Sequence, residues 1–344
     1  MSSTPTHRVF NFSAGPAVLP EPVLQEAQRD LVALPGVGMS ILEISHRSAA
    51  FDGVLELAEA DLRALIGLGG DHHVLFLQGG ASQQFAMVPM NLLPTDGVAD
   101  YIVTGSWAKK AAAEAEKFGR VNVCATTEAD AFTRVPSSDE LHPPPGAAYV
   151  HLTSNNTIVG TQWPTLPEVG DAPLVVDASS DLLCRPIDGN RCGLVYAGAQ
   201  KNLGPAGLTV VIVRKDLTQR APESIPTMLR YAVAAKHGSR YNTPPVFAIY
   251  LFGLVMRWLR DMGGLSAMET RNRRKAGVLY DAIDRTGFYR GTADPGSRSL
   301  MNVTFRLPSE ALEQQFVTEA AAAGLSGLKG HRSVGGQRAS IYNA

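Results

Sequence analysis

Cysteine is scarce in this chain, and its pattern excludes several kinds of protein. The three cysteines, Cys124, Cys184 and Cys192, form no CxxC pair and no even-numbered framework. Neither a disulfide scaffold nor a metal site is indicated, and a reducing compartment is expected. Long apolar runs are also missing. The greasiest stretch, Val246 to Leu259, is too short to span a bilayer and carries Arg257, which reads as a buried helix. The segment from Met1 to Phe10 is polar, contains Pro5 and His7, and lacks the apolar core of a secretory leader. A soluble, cytoplasmic protein is the expectation. Charge of one sign is lacking too. With a net value of −1, no global field draws nucleic acid or an acidic membrane, so an anionic substrate must be held by local arginines and histidines. No internal repeat and no low-complexity segment is visible.

What is present is a chain with enough apolar residues for a substantial core, long enough for two domains. Pro20 and Pro22 open an amphipathic helix through about Leu34, since proline suits a first helical turn, and Pro35–Gly38 breaks it. A second helix runs from about Phe51 to Ile66. Strands then alternate with helices: His73–Leu77, helix Gln83–Leu93, Tyr101–Val103, helix Ala108–Phe118, then Ala148–Leu152, Leu174–Val176, Leu194–Ala197 and Leu208–Val213. That alternation predicts an α/β fold, a mostly parallel sheet with helices on both faces, and ligands bind such sheets at the carboxyl ends of the strands. From about Gly263 the character changes to a small α+β unit: helix Met268–Asp284, strand Leu300–Leu307, helix Glu310–Ala323 and a mixed segment Leu325–Tyr342. The basic stretch Arg271–Lys275 reads as a solvated helix face.

The chemistry-bearing residues lie just after these strands. Lys201 stands in Tyr196-Ala-Gly-Ala-Gln-Lys201-Asn-Leu-Gly-Pro. A loop lysine is ordinarily solvated, but here Gly198, Ala199, Gly204 and Gly207 would let a flat ligand approach closely. Asp177 ends the preceding strand. In isolation it reads as a cap or turn aspartate; paired with Lys201 it matches pyridoxal phosphate (PLP), which needs a lysine for covalent attachment and a carboxylate for its pyridine nitrogen. Gly79-Gly80-Ala81-Ser82 joins a strand to a helix and could cradle a phosphate, although such glycine turns are common. It is neither GxGxxG nor a P-loop, which disfavours a dinucleotide or ATP. Trp107 follows another strand end, as core residue or as stacking partner for an aromatic cofactor. Thr157 offers a hydroxyl from the next. Two glycine- or loop-flanked His-Arg pairs, His46-Arg47 and His331-Arg332, with Arg338 nearby, suit anion recognition better than plain solvation.

Taken together, these residues resemble a known family. Asn11-Phe-Ser-Ala-Gly-Pro16, His46-Arg47-Ser48, Phe76-Leu-Gln-Gly-Gly-Ala-Ser82, Gly105-Ser-Trp107, Gln200-Lys201-Asn-Leu-Gly-Pro205, Tyr241-Asn-Thr-Pro-Pro245 and Gly330-His-Arg-Ser-Val-Gly-Gly336 occur in order along nearly the whole chain. The chain resembles the phosphoserine aminotransferases, class V enzymes of PLP fold type I. The resemblance implies a large PLP-binding domain, 18–262, and a small domain made of 1–17 and 263–344. It implies that Lys201 carries the cofactor, Asp177 pairs with its ring nitrogen, Trp107 stacks on the ring and Thr157 reaches its phenolic oxygen. Ala81, Ser82 and Gln200 would hold the phosphate, completed by Asn242 and Thr243 from the partner in a homodimer. His46 and Arg47, with the partner's His331 and Arg332, would bind the substrate's distal anion. Arg338 would grip the α-carboxylate, and Ser13 would line the glutamate site.

The implied reaction is reversible transfer of the amino group from L-glutamate to 3-phosphohydroxypyruvate, giving O-phosphoserine and 2-oxoglutarate, with the phosphohydroxythreonine step of vitamin B6 synthesis as a further reaction. The family's chains continue past Ala344 through a proline-containing segment and a closing helix, so a less stable small domain is expected. Two rivals share the cofactor residues. A cysteine desulfurase needs a reactive cysteine on a mobile loop, and none of the three is so placed. A non-catalytic PLP carrier would keep Lys201 and Asp177 but lose the substrate-binding histidines and arginines, which this chain retains.

Overall fold

The structure is a computed structural model that describes residues 8–344. The reading of Met1–Phe10 as leaderless, and part of the 1–17 boundary, therefore fall on Met1–His7, outside the described residues. The chain enters with β1 (Phe10–Asn11), α1 (Glu21–Asp30) and α2 (Ala49–Ile66). A strand–helix alternation follows: β2 (His72–Leu77), α3 (Gly80–Leu92), β3 (Val98–Val103), α4 (Ser106–Ala115), β4 (Arg120–Thr126) and β5 (Val150–Thr153). A short hairpin, β6 (Asn155–Asn156) and β7 (Thr161–Gln162), precedes β8 (Leu174–Asp177), β9 (Leu194–Gly198) and β10 (Thr209–Arg214). Helices α5 (Tyr231–Lys236), α6 (Val246–Asp261) and α7 (Gly264–Thr286) lead to β11 (Arg290–Gly291), β12 (Asn302–Arg306), α8 (Glu310–Ala322), β13 (Leu325–Ser326) and β14 (Gln337–Ser340).

Seven strands form one sheet in the order β2-β10-β9-β8-β5-β3-β4. From β9 to β4 every pairing is parallel; β10 alone runs against its neighbours. β5, β8 and β9 are buried along their whole length, as strands covered on both faces by helices must be. The apolar stripe of α2, Phe51, Leu55, Ala58, Leu62 and Ile66, packs with the buried residues of α6 in one core cluster. Burial of each large side chain there is worth about 1.5–3 kcal/mol. Ser48 caps α2, its hydroxyl accepting from the Phe51 N–H at 3.3 Å, and Gly67 ends it in the left-handed region. The stretch read as a buried helix, Val246–Leu259, is one. No helix among the described residues is long and apolar enough to cross a membrane. A three-stranded sheet, β11-β12-β14, stands apart from the large one, and β1 pairs with β13.

Three local expectations need correction. α1 ends at Asp30 rather than Leu34. Pro35 disfavours a helical Leu34, and the Leu34 N–H turns instead to the Met39 carbonyl at 2.8 Å. α3 and α4 begin earlier than predicted, at Gly80 and Ser106, so Ala81, Ser82 and Trp107 belong to first helical turns. Finally, Arg271–Lys275 is not uniformly solvated. The Lys275 ammonium turns inward and donates to the Ile341 carbonyl at 2.8 Å and to that of Tyr342. Burial pulls its pKa down to about 8.

That depression has a measurable sign. An unfolded lysine titrates near 10.4. Between about pH 8 and 10.4 the unfolded chain holds a proton that the folded chain has released, so the group's contribution to stability rises with pH across that window. Denaturant midpoints of the wild type and Lys275→Met should therefore diverge in the wild type's favour between pH 8 and pH 10. A constant difference would mean that Lys275 keeps its charge when folded.

Candidate active site

β2, β5, β8 and β9 point their carboxyl ends to one side, and there the chain encloses a cavity of about 560 Å³. Asp177, the last residue of β8, is 4% exposed. Its neighbour strand β9 ends at Gly198, and the turn Ala199-Gln200-Lys201 brings the lysine over the same cavity. One Asp177 oxygen, Oδ1, accepts from the Ser179 N–H at 3.0 Å. Among the described residues Oδ2 has no hydrogen-bond partner. Burial pushes each group toward neutrality. Burial raises the Asp177 pKa, opposed by the Lys201 charge. Burial lowers that of Lys201, opposed by Asp177 and reinforced by Arg338.

The other walls follow from helix starts. α3 begins at Gly80 with no acidic residue in its first turn, so the free N–H groups and the positive end of its dipole face the cavity at Gly79, Gly80, Ala81 and Ser82. Trp107, in the first turn of α4, donates from Nε1 to the Thr157 hydroxyl at 3.2 Å. The Lys201 ammonium lies 5.6 Å from the centre of its ring. The preceding Gly105 has to be glycine, because a Cβ there would come within 2.9 Å of the Asn156 Cγ. Across the cavity stand His331 and Arg338. Arg338 donates to the Thr157 carbonyl at 2.8 Å and pairs with no carboxylate among the described residues.

Of the residues singled out in the sequence, Ala81, Ser82, Trp107, Thr157, Asp177, Gln200, Lys201, His331 and Arg338 line this one cavity. Others do not. His46 and Arg47 lie in the loop before α2, the Arg47 Nε 3.3 Å from the His46 Nε2. Asn242 lines a separate cavity of about 70 Å³ beside Gln78, Gln83 and Tyr241, and Thr243 and Arg332 are exposed. Ser13 is adjacent to the lining pair Ala14 and Gly15 without belonging to it. His331, expected in the partner's site, lines the cavity that holds the Lys201 of its own chain. The reason is β14, which pairs with β12, while Lys329 bridges to Gln337, folding the 330–336 loop back over the chain's own strand ends.

Thr153, Asn155, Ser179, Ser180 and Phe85 also line the cavity and were missed. Ser179 and Ser180 directly follow Asp177, and Asn155 precedes Thr157 by two residues, so position after a strand end was the usable signal. The cysteines offer no rival chemistry. All three are free and buried, and burial raises the pKa of Cys124 to about 11 and those of Cys184 and Cys192 to about 12. A desulfurase nucleophile must be an accessible thiolate.

An unpartnered carboxylate oxygen, a lysine of depressed basicity and a helix end free of acid fit one ligand. It is an aromatic phosphate with a basic ring nitrogen, and the surrounding fold is that of the fold-type I pyridoxal-phosphate enzymes. A family model for aminotransferase class-V matches residues 9–344. Phosphoserine aminotransferases from Desulfatibacillum aliphaticivorans and Herpetosiphon aurantiacus are 57% and 55% identical, over 98% of this chain and 93% and 94% of theirs. The solved phosphoserine aminotransferase from Bacillus circulans subsp. alkalophilus matches with a TM-score of 0.96 at 54% identity, covering 98% of this chain and 94% of that one. The PLP-bound enzyme from Trichomonas vaginalis gives 0.92 at 37% identity, covering 98% and 96%. The chain belongs to the phosphoserine aminotransferase family of class V.

Proposed function

We propose that this cavity transfers the amino group of L-glutamate reversibly to 3-phosphohydroxypyruvate, giving 2-oxoglutarate and O-phosphoserine. One observation carries the reading: Lys201, Asp177, the α3 N-terminus and an arginine without a carboxylate partner, Arg338, face one enclosed space. PLP, when bound, supplies a protonated ring that takes up the electron pair of a broken Cα–H bond. The chain does the rest. The N–H groups of Ala81 and Ser82, with Gln200, bind the phosphate. Asp177 Oδ2 would hold the proton on the ring nitrogen. Trp107 would cover the ring and exclude water, and Thr157 would hydrogen-bond at its edge. Lys201 Nζ, at the same strand edge as Asp177, is placed to take the α-proton and return it. Arg338 orients the substrate α-carboxylate, while His331 and Arg332 receive the distal anion, carboxylate or phosphate; Ser13 flanks them. Burial and the nearby Arg338, Arg332 and Lys110 charges lower the His331 pKa, so an arriving anion should raise it again.

The direct test is turnover of glutamate with 3-phosphohydroxypyruvate, with sulfide release from L-cysteine as the control for a desulfurase. Turnover without sulfide is expected; sulfide, or no turnover of either pair, would overturn the assignment. We further assign 18–262 to a large domain, and 1–17 with 263–344 to a small one, in a cytoplasmic homodimer. The three free thiols support a reducing compartment, and the β1–β13 pairing supports joining the N-terminal segment to the C-terminal part.

In that dimer we assign the crossing to His46, Arg47, Asn242, Thr243 and Arg332, since none of them lines the cavity of its own chain, whereas His331 does. Lys201→Ala and Arg47→Ala homodimers, each inactive, should regain activity when subunits exchange. The heterodimer then has one site with an intact Lys201 and an Arg47 lent by the other chain. Truncating a charged partner at a desolvated site costs roughly 2–5 kcal/mol, enough to silence a site alone. Lys201→Ala mixed with His331→Ala should stay silent, because both residues line one chain's cavity. Recovery in the second mixture and not the first would reverse the assignment.

A further inference from the structure

β12 and β14 present a face that is polar and yet buried. Asn302 and Thr304 alternate on β12, Arg338 and Ser340 on β14, and the register sets Asn302 opposite Ser340 and Thr304 opposite Arg338. Asn302, Thr304 and Arg338 reach the segment 155–160, from which Asn155 and Thr157 line the cavity, and Ser340 joins them through Asn302. The Asn155 amide donates to the Ser180 hydroxyl and to Asn302 Oδ1, both at 2.8 Å, while its oxygen accepts from the Ser299 hydroxyl at 2.6 Å. The Asn302 amide donates to the Ser340 hydroxyl at 2.8 Å and to Tyr342 at 3.3 Å. The Tyr342 hydroxyl goes on to the Ala14 carbonyl at 2.7 Å. Thr304 bonds the Val159 carbonyl, and Arg338 the Thr157 carbonyl. At Gly160 there is no room for a side chain, since a Cβ would stand 2.7 Å from the Asn302 carbonyl.

Both amides are therefore saturated: each NH₂ has two acceptors and each oxygen has a donor. Asn155 is 1% and Asn302 0% exposed. A fully satisfied buried polar network rigidifies and selects one arrangement, where an apolar contact would tolerate sliding. Of these side-chain partners, Asn155, Ser180 and Arg338 belong to residues that line the cavity, while Asn302, Thr304, Ser340 and Tyr342 do not.

Resting on the reading above, in which Arg338 grips the substrate carboxylate, we infer that Asn302 and Asn155 are positioning residues, fixing β14, and with it the Arg338 guanidinium, to the segment 155–160 and to Ser180 in the turn that follows Asp177. A displacement of about 1 Å in an orienting group can cost on the order of 100-fold.

The test is a double-mutant cycle on anion binding. Maleate, a dicarboxylate without an amine, is titrated into the cofactor-loaded protein and read by the cofactor absorbance. Asn302→Ala should weaken maleate roughly tenfold or more while the cofactor spectrum without maleate is unchanged. In an Arg338→Ala background the same substitution should change affinity less than about twofold. Equal losses in both backgrounds, or a lowered melting temperature with unchanged affinity, would overturn the inference. Should Asn302→Ala fail to fold, Ser340→Ala removes one acceptor and leaves Tyr342. Its cycle must show the same coupling at smaller amplitude, and no coupling there overturns the inference as well. Wild-type turnover with glutamate and 3-phosphohydroxypyruvate tests the parent reading separately, so the two can fail independently.

Discussion

Lys201→Ala will yield a folded protein without transaminase turnover and without covalently held cofactor. The fold should survive because the Lys201 ammonium donates to no group among the described residues and carries a desolvation cost, which alanine removes. The loss of a positioned general base alone costs roughly 10²–10⁴-fold. Loss of the covalent anchor adds to that, so activity should fall at or beyond the upper end of the range. Borohydride reduction of the wild-type holoenzyme should fix the cofactor to the peptide that contains Lys201. Label on Lys109, Lys110 or Lys236 would overturn the assignment. Those alternatives are poorly placed: Lys109 is paired with Glu128, Lys110 is exposed on α4, and Lys236 lies on α5 away from the cavity.

Asp177→Asn should slow the α-proton step on the order of 10³-fold, in line with removal of one preorganised electrostatic element at a buried site. The substitution is isosteric. An asparagine oxygen can still accept from the Ser179 N–H, so the strand end keeps its shape and the cofactor stays bound through α3 and Lys201. What is lost is the charge that keeps a proton on the ring nitrogen. A second readout separates this from misfolding. Asp177 raises the Lys201 pKa, so its neutralisation should move the pH titration of the cofactor absorbance to lower pH. Near-normal single-turnover rates with glutamate would reduce Asp177 to a turn residue.

The sheet and its chemistry were legible because strand and punctuation coincide. Leu174–Val176 before Asp177, and Leu194–Ala197 before the Lys201 turn, are apolar runs that end in small or polar residues, and the structure extends each by one residue only. Helix starts were harder. Gly80 and Ser106 look like loop residues, yet they open α3 and α4, because glycine and serine are as common in turns as at helix starts. Lys275 was misread for a similar reason: a helix face rich in charge predicts solvent, and only the returning C-terminal segment buries it. The alternation Asn302-Val-Thr304-Phe resembles a half-solvated strand, although its polar side is the buried one. Which chain owns His331 depends on how the 330–336 loop folds back, a tertiary fact with no one-dimensional signature.

The antiparallel course of β10 has a consequence for assembly. Through residues 199–208, which include Lys201, β9 and β10 form a hairpin, the sheet's one antiparallel pairing between consecutive strands. A hairpin closes locally at small loop-closure cost, whereas β8–β9 needs a crossover and β2–β10 joins segments more than a hundred residues apart. The lysine turn can thus take shape before its surroundings exist. In that early hairpin the amine is hydrated and of ordinary basicity, hence protonated and inert toward carbonyl compounds at neutral pH. Its basicity is lowered by burial, with the Arg338 charge adding to it against the pull of Asp177, and that setting needs the finished fold. Reactivity therefore depends on the long-range pairings around the hairpin, so a nascent or partly opened chain offers stray aldehydes no better target than any surface lysine.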